Sequence, residues 1–138
     1  MAFKDDLYSK LTATTGITDI VETRIYYGIA PTNADVPYLT YMRISDDQIH
    51  HTGAASAFTR CQYQFSCWAF KELTSDNIAN AVRNALDGFN GTLGSTRTRI
   101  QMTDQVDLYD SPDDGSQAGL WHIAVTFDIW HQRAVPTL

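Results

Sequence analysis

Histidines, closely spaced aspartates and two cysteines are the residues of this chain that could do chemistry, and the first chemistry they suggest is metal binding. His50 and His51 are adjacent, so in an extended segment they point to opposite sides. His122 and His131 are nine apart, which again places them on opposite faces of a strand. No His or Cys pair has zinc-finger spacing, and no HExxH occurs. Asp104, Asp107, Asp110, Asp113 and Asp114 raise the question of calcium. They lack the alternating ligands, central glycine and closing glutamate of an EF-hand loop. They read as a solvated strand edge followed by an Asp-rich turn.

Acid–base and nucleophilic chemistry find no better support. Glu22 and Glu72 are the only glutamates, and neither stands in an apolar run of the kind that a general acid needs. There is no GxSxG elbow, P-loop or GxGxxG. Ser, His and Asp all occur, but geometry rather than presence defines a triad. Cys61 and Cys67 fall on one face of an alternating segment, about 20 Å apart at roughly 3.3 Å per residue. A disulfide needs Cα atoms within about 7 Å. The two thiols therefore read as reduced, buried small hydrophobes, the usage of a cytosolic chain. The sequence offers no catalytic, cofactor-binding or metal-binding residue. Trp68, Trp121 and Trp130 remain, as material for a ligand pocket, a core or an interface.

The elements that carry these residues follow from periodicity. Arg60–Phe70 (RCQYQFSCWAF) alternates, with Cys61, Tyr63, Phe65, Cys67 and Ala69 on one face, the mark of a half-buried strand. Ile78, Val82, Ala85, Leu86 and Phe89 then form one stripe of a helix, with Thr74 or Ser75 as its cap and Gly88 at its end. Ala2–Thr14 is a short helix on Phe3, Leu7 and Leu11, ended by Gly16, and Thr18–Glu22 allows one further helical turn. Arg24–Tyr27 and Tyr38–Ser45 read as strands, with Pro37 at the start of the second. The polar segment Asp46–Thr59 is long for a hairpin loop: either the strands extend into it or it is a functional arm. Asn90–Arg97 is a loop. Thr98–Asp110 is a strand with Ile100, Met102, Val106 and Leu108 on one parity, and Ser111–Gly119 is a turn. In Leu120–Gln132, Trp121, Ile123, Val125, Phe127 and Ile129 face one way.

The order α-β-β-β-α-β-β with hairpin connections predicts an α+β fold. Its sheet is mainly antiparallel or mixed, of about five strands, with two helices on one face. If the apolar sets face the core, Trp68 and Trp130 lie on the far face as candidate exposed contacts. The 138 residues, 43% hydrophobic and 19% charged, are expected to form one domain, 1–138. Apolar runs are short and the N-terminus carries acids, so neither a membrane span nor a signal peptide is expected. Net charge is −6, and no Lys or Arg stands between Arg99 and Arg133, which argues against a nucleic-acid-gripping role.

Taken in order along nearly the whole chain, these segments resemble the tail-completion or tail-terminator proteins of long-tailed bacteriophages. The carriers are the N-terminal helix with Leu7 and Leu11, Arg24-Ile25-Tyr26 and Pro37-Tyr38-Leu39. They continue with Tyr63-Gln64-Phe65, Cys67-Trp68-Ala69, Ala81-Val82-Arg83 with Ala85-Leu86, Asp107-Leu108-Tyr109-Asp110, and Thr126-Phe127-Asp128-Ile129-Trp130. The resemblance implies a non-enzymatic virion protein without cofactor, assembled in the host cytoplasm. It implies a ring, usually hexameric, at the head-proximal end of the tail tube, which stops tube polymerisation and docks the head connector or stopper. DNA would pass through the lumen without specific binding. Asp46, Asp47, Gln48, Ile49, His50 and His51 are then a candidate subunit-junction or lumen segment. The alternative is a small α+β ligand-binding domain or enzyme, with Tyr63, Phe65, Trp121 and Phe127 lining a pocket between sheet and helices.

Overall fold

Alternation sets the strands and the 3.6-residue stripe sets the helices. The structure, a computed structural model, describes residues 3–31, 34–51, 54–93, 96–110 and 120–132, with the backbone alone at 47–51, 54–58, 96, 110 and 132. The expected turn Ser111–Gly119 lies outside the described residues. The elements are α1 (Phe3–Ala13), α2 (Thr15–Val21), β1 (Ile25–Tyr27), β2 (Tyr38–His51), β3 (Ala54–Ala69), α3 (Glu72–Leu86), β4 (Asn90–Leu93), β5 (Thr96–Asp110) and β6 (Leu120–Gln132). Six strands, in the order β1-β2-β3-β6-β5-β4, make one mixed sheet. β1 is parallel to β2 and every other pair is antiparallel.

The fold class is α+β, with more elements than the sequence predicts. The third helix comes from the N-terminal segment. Its break falls at Thr14, whose backbone is extended, and Gly16 lies inside the first turn of α2 rather than ending α1. Ile17 and Val21, both fully buried, anchor that short helix against the core. The sixth strand comes from the expected loop Asn90–Arg97. Leu93 is buried, and Asn90–Leu93 pairs with Thr96–Arg99, leaving only residues 94 and 95 between the strands. The polar segment Asp46–Thr59 is strand rather than loop. β2 and β3 pair up to His51↔Ala54, because a ladder supplies backbone partners whatever the polarity of the side chains.

Two local expectations are also corrected. Thr74 and Ser75 do not cap α3. Lys71 holds the cap position, and Ser75 lies a turn further on, where its Oγ donates to the Cys67 carbonyl at 2.7 Å. That bond ties the helix to the end of β3. Gly88 sits just past the helix with φ +82°, the left-handed region where a Cβ is strained. In β5 the apolar parity breaks. A bulge between Met102 and Asp104 shifts the register against β6. Ile100 and Met102 stay on the core face, while Val106 and Leu108 pass to the opposite one.

The core lies between one sheet face and the helices. Leu7 and Leu11 of α1, Ile17 and Val21 of α2, and Ile78, Val82 and Leu86 of α3 are fully buried. So are Leu39, Phe65, Cys67, Ile100, Val125, Phe127 and Ile129 of the sheet. Phe65 meets Phe127 edge to face at 5.4 Å and stacks on Tyr41 at 5.7 Å. Cys61 and Cys67 are buried free thiols on this face, and burial pushes the Cys67 thiol well up from its ordinary range.

Truncating a fully buried phenylalanine leaves a cavity, so Phe127→Ala should lower unfolding free energy by about 3–5 kcal/mol. Val106→Ala, on the solvent side of the bulge, should stay within about 0.5 kcal/mol. Urea denaturation of both variants checks the register: similar losses would place Val106 in the core.

Candidate interaction surface

Among the described residues the second sheet face carries no helix, and the ladder arranges its side chains in rows. At the end nearest the start of β6, Tyr38, Trp68, His122 and Leu108 stand side by side. Trp68 is stacked between Tyr38 (5.9 Å) and His122 (3.9 Å), and its indole N–H donates to Thr40 Oγ1 at 3.2 Å. The next row is Thr40, Ser66, Ala124 and Val106, mostly small groups shaded by the larger ones beside them. Beyond Met42, Gln64, Thr126 and Asp104 the face turns polar, and Gln62 Nε2 donates to Asp128 at 2.9 Å. The far row holds Arg60, Trp130 and Arg99. The face thus grades from apolar and aromatic to charged along the strand direction.

Two shallow concavities mark its ends. One, of about 250 Å³, is bounded by Gly28, Ile29, Ala30, Tyr38, Thr40 and Trp68. The other, of about 360 Å³, is bounded by Asn90, Arg97, Thr98, Arg99 and Trp130. In the second, Arg97 Nη2 donates to Asn90 Oδ1 at 3.3 Å and the Arg99 guanidinium lies 5.7 Å from the Trp130 ring. Trp68 and Trp130 therefore share the far face, as their parity predicts, but are eight residues of β6 apart, about 26 Å. Arg97 and Arg99 escape a reading that treats 90–97 as loop; their i, i+2 spacing is the signal that puts both on one face.

The segment Asp46–His51 begins level with β6, Asp46, Asp47 and Gln48 being in line with Ile129, Trp130 and His131, and its last residues run past the rest of the sheet. β6 ends against Phe58, whereas the β2–β3 ladder continues to His51↔Ala54, about 13 Å further at 3.3 Å per residue. Asp46 accepts from Thr59 Oγ1 at 2.7 Å and pairs with Arg43 at 3.3 Å, fixing the root of the arm. Asp47, Gln48, His50 and His51 take part in the ladder against Arg60, Thr59, Ala55 and Ala54, with Ile49 at a register shift. Along the edges, β1 covers only Leu39–Tyr41 of β2, and β4 covers only Thr96–Arg99 of β5.

The four residues considered as a pocket between sheet and helices do not line one together, and Tyr63 alone of them borders a concavity of about 200 Å³, with Phe3, Lys4, Tyr27 and Arg43. Phe65 and Phe127 touch one another with no exposure, and Tyr63 is buried. Trp121 stands apart from them at the sheet end, 4.9 Å from Tyr109. Phe3 of α1 covers Tyr63 and stacks on His131 at 4.0 Å. Among the described residues no cluster of three or more His, Cys, Asp or Glu could hold a metal ion, and no helix is long and apolar enough to cross a membrane.

A sheet clad on one face, with open edges and a graded bare face, makes this molecule a small α+β structural module, and the comparisons with known proteins say where such a module works. The chain belongs to the family described as tail completion protein gp17, which it matches over residues 5–132, and it is a structural protein of phage tails. A chain from the virion of a native gene transfer agent particle shares the fold, with a TM-score of 0.72, 18% identity and 95% of each chain covered. A second solved structure aligns with a TM-score of 0.61 at 10% identity, over 98% of this chain and 96% of the other. No match was found among curated proteins.

The tyrosines under α1 set an alkaline limit. The Tyr41 hydroxyl donates to the Lys4 carbonyl at 2.8 Å; burial, and then the Asp5 carboxylate, push its pKa far above the ordinary 10.0. Burial does the same for Tyr63, followed by its neighbour Cys61. A raised folded-state pKa favours the neutral phenol, so its contribution is complete below about pH 10 and is lost as pH rises beyond that. The melting temperature should fall above pH 10, and Tyr41→Phe should blunt the fall. An unchanged alkaline profile in that variant would refute the assignment.

Proposed function

We infer that this chain completes the phage tail as a ring of identical subunits at the head-proximal end of the tube. There it ends tube polymerisation and presents a surface to the head connector. The observation that carries this reading is the bare sheet face with its two partly open edges. A subunit that buries only one side of its sheet has surface left for neighbours. Because the two edges differ, a contact between them is heterologous, and repeated copies close into a ring when the rotation permits.

The projecting hairpin supports the same reading. An arm that extends beyond its own sheet reaches a neighbour or the lumen, and in this reading Asp46–His51 is the subunit-junction or lumen segment. Trp68 and its stacked partners supply an aromatic anchor at the opposite end of the face. Charge fits a DNA conduit. A hexamer would carry six times −6, formally −36, and a negative lumen lets a polyanion slide without sticking.

Tails assembled without the protein should grow beyond normal length and fail to join heads; negative-stain imaging of tube lengths checks this. Normal lengths in its absence would rule out a terminating role. Replacing residues 49–58 with a two-residue turn should leave a folded monomer, by circular dichroism, that no longer forms rings in light scattering. Undiminished ring formation would remove the arm from the junction.

A further inference from the structure

We propose that the concavity around Arg97, Arg99 and Trp130 receives Asp104, on the open edge of β5, from a second copy of this chain. The inference rests on the self-association put forward above and names the groups that would make it.

The pocket is built for a carboxylate. Two guanidiniums two residues apart on one strand offer planar donor forks that match carboxylate oxygens. Arg97 is steadied by Asn90, and Arg99 by the Trp130 ring. Among the described residues neither arginine has a carboxylate within 4.0 Å. Nearby acids are committed elsewhere: Asp128 accepts from Gln62, and Asp87 Oδ1 accepts from the Met102 N–H at 2.9 Å. In a chain with 16 acidic and 10 basic residues, two arginines gathered beside an indole with no acid partner form an unfilled half of a contact.

The other half lies on the same strand. After the bulge, β5 carries Asp104 on the bare face, with the exposed Val106 and Leu108 on the same side, along an edge that no described strand covers, while Asp107 points to the opposite face. A rigid strand cannot fold its own acidic residue back into its basic end. Seven residues separate Arg97 from Asp104, about 23 Å at 3.3 Å per residue. The complement must come from another molecule. The contact is either isologous, each copy filling the other's concavity, or heterologous, leaving one concavity and one acid open to the next copy. Val106 and Leu108 beside Asp104, set against Trp130, give the contact a centre, and the ion pair gives it register and salt sensitivity. A nucleic-acid phosphate offers similar chemistry, but it would have to approach a body of net charge −6.

The test is charge-swap complementation. Arg97→Glu with Arg99→Glu makes both sites negative; Asp104→Arg makes both positive. Circular dichroism and melting temperature establish that each variant is folded. By sedimentation equilibrium, each alone should lose self-association at least tenfold relative to wild type, and an equimolar mixture should restore it. Unimpaired assembly of either variant, or a mixture no better than its components, overturns the proposal and leaves the ring reading standing where wild type still assembles. Wild-type protein that never self-associates, free or on tails, removes both. A duplex oligonucleotide that binds wild type but not the arginine variant, with assembly unchanged, also overturns the proposal in favour of a phosphate site.

Discussion

The ladder between β3 and β6 runs unbroken from Phe58↔Gln132 to Ala69↔Trp121, and it assigns a face to every side chain of the central sheet. Side chains alternate with a period of two, so a slip of one residue would carry Phe65 and Phe127 into solvent and Gln64 and Thr126 into the core. The helices depend on that choice. α3 is stitched to the end of β3 through Ser75, and its stripe of Ile78, Val82 and Leu86 meets the face that the ladder has made apolar. α1 is placed by Phe3 over Tyr63 and His131 and by the Lys4 carbonyl over Tyr41. The bare face is the other product of the same register, and the surface that assembly would use follows from how the core was packed.

How much of this could be read from the chain depends on whether local pattern and tertiary demand agree. In Cys61–Ala69, Ile123–Ile129 and α3 they agree, so strand, face and helix were legible, as was the placement of Trp68 and Trp130 on the far side. In β5 they do not. A bulge leaves no mark on composition, and Val106 and Leu108 look like a continuation of Ile100 and Met102 until the register against β6 is known. The arm was ambiguous because its polar residues lack alternation; backbone pairing rather than burial makes it strand. β4 was hidden by Gly91 and Thr92, with only Leu93 to anchor it. The arginine concavity lay half inside that misread segment, so Trp130 was singled out in the sequence without the arginines that stand beside it.

Polarity along the bare face is the feature that links fold to assembly. Its aromatic row sits at one end, its arginines and Trp130 at the other, and β5 runs between them with acids on the half that β4 leaves open. An object with distinct ends adds copies in one orientation. Termination of a tube needs that property, because the surface facing the tube and the surface facing the head must not be interchangeable.

The aspartates on the open edge of β5 have one more effect. Newly made subunits bearing long unpaired strands are at risk of zipping together edge to edge into amyloid-like stacks. Like charges at Asp104 and Asp107 repel that alignment when two such edges meet. The same edge that could welcome a positively charged neighbour resists pairing with a copy of itself.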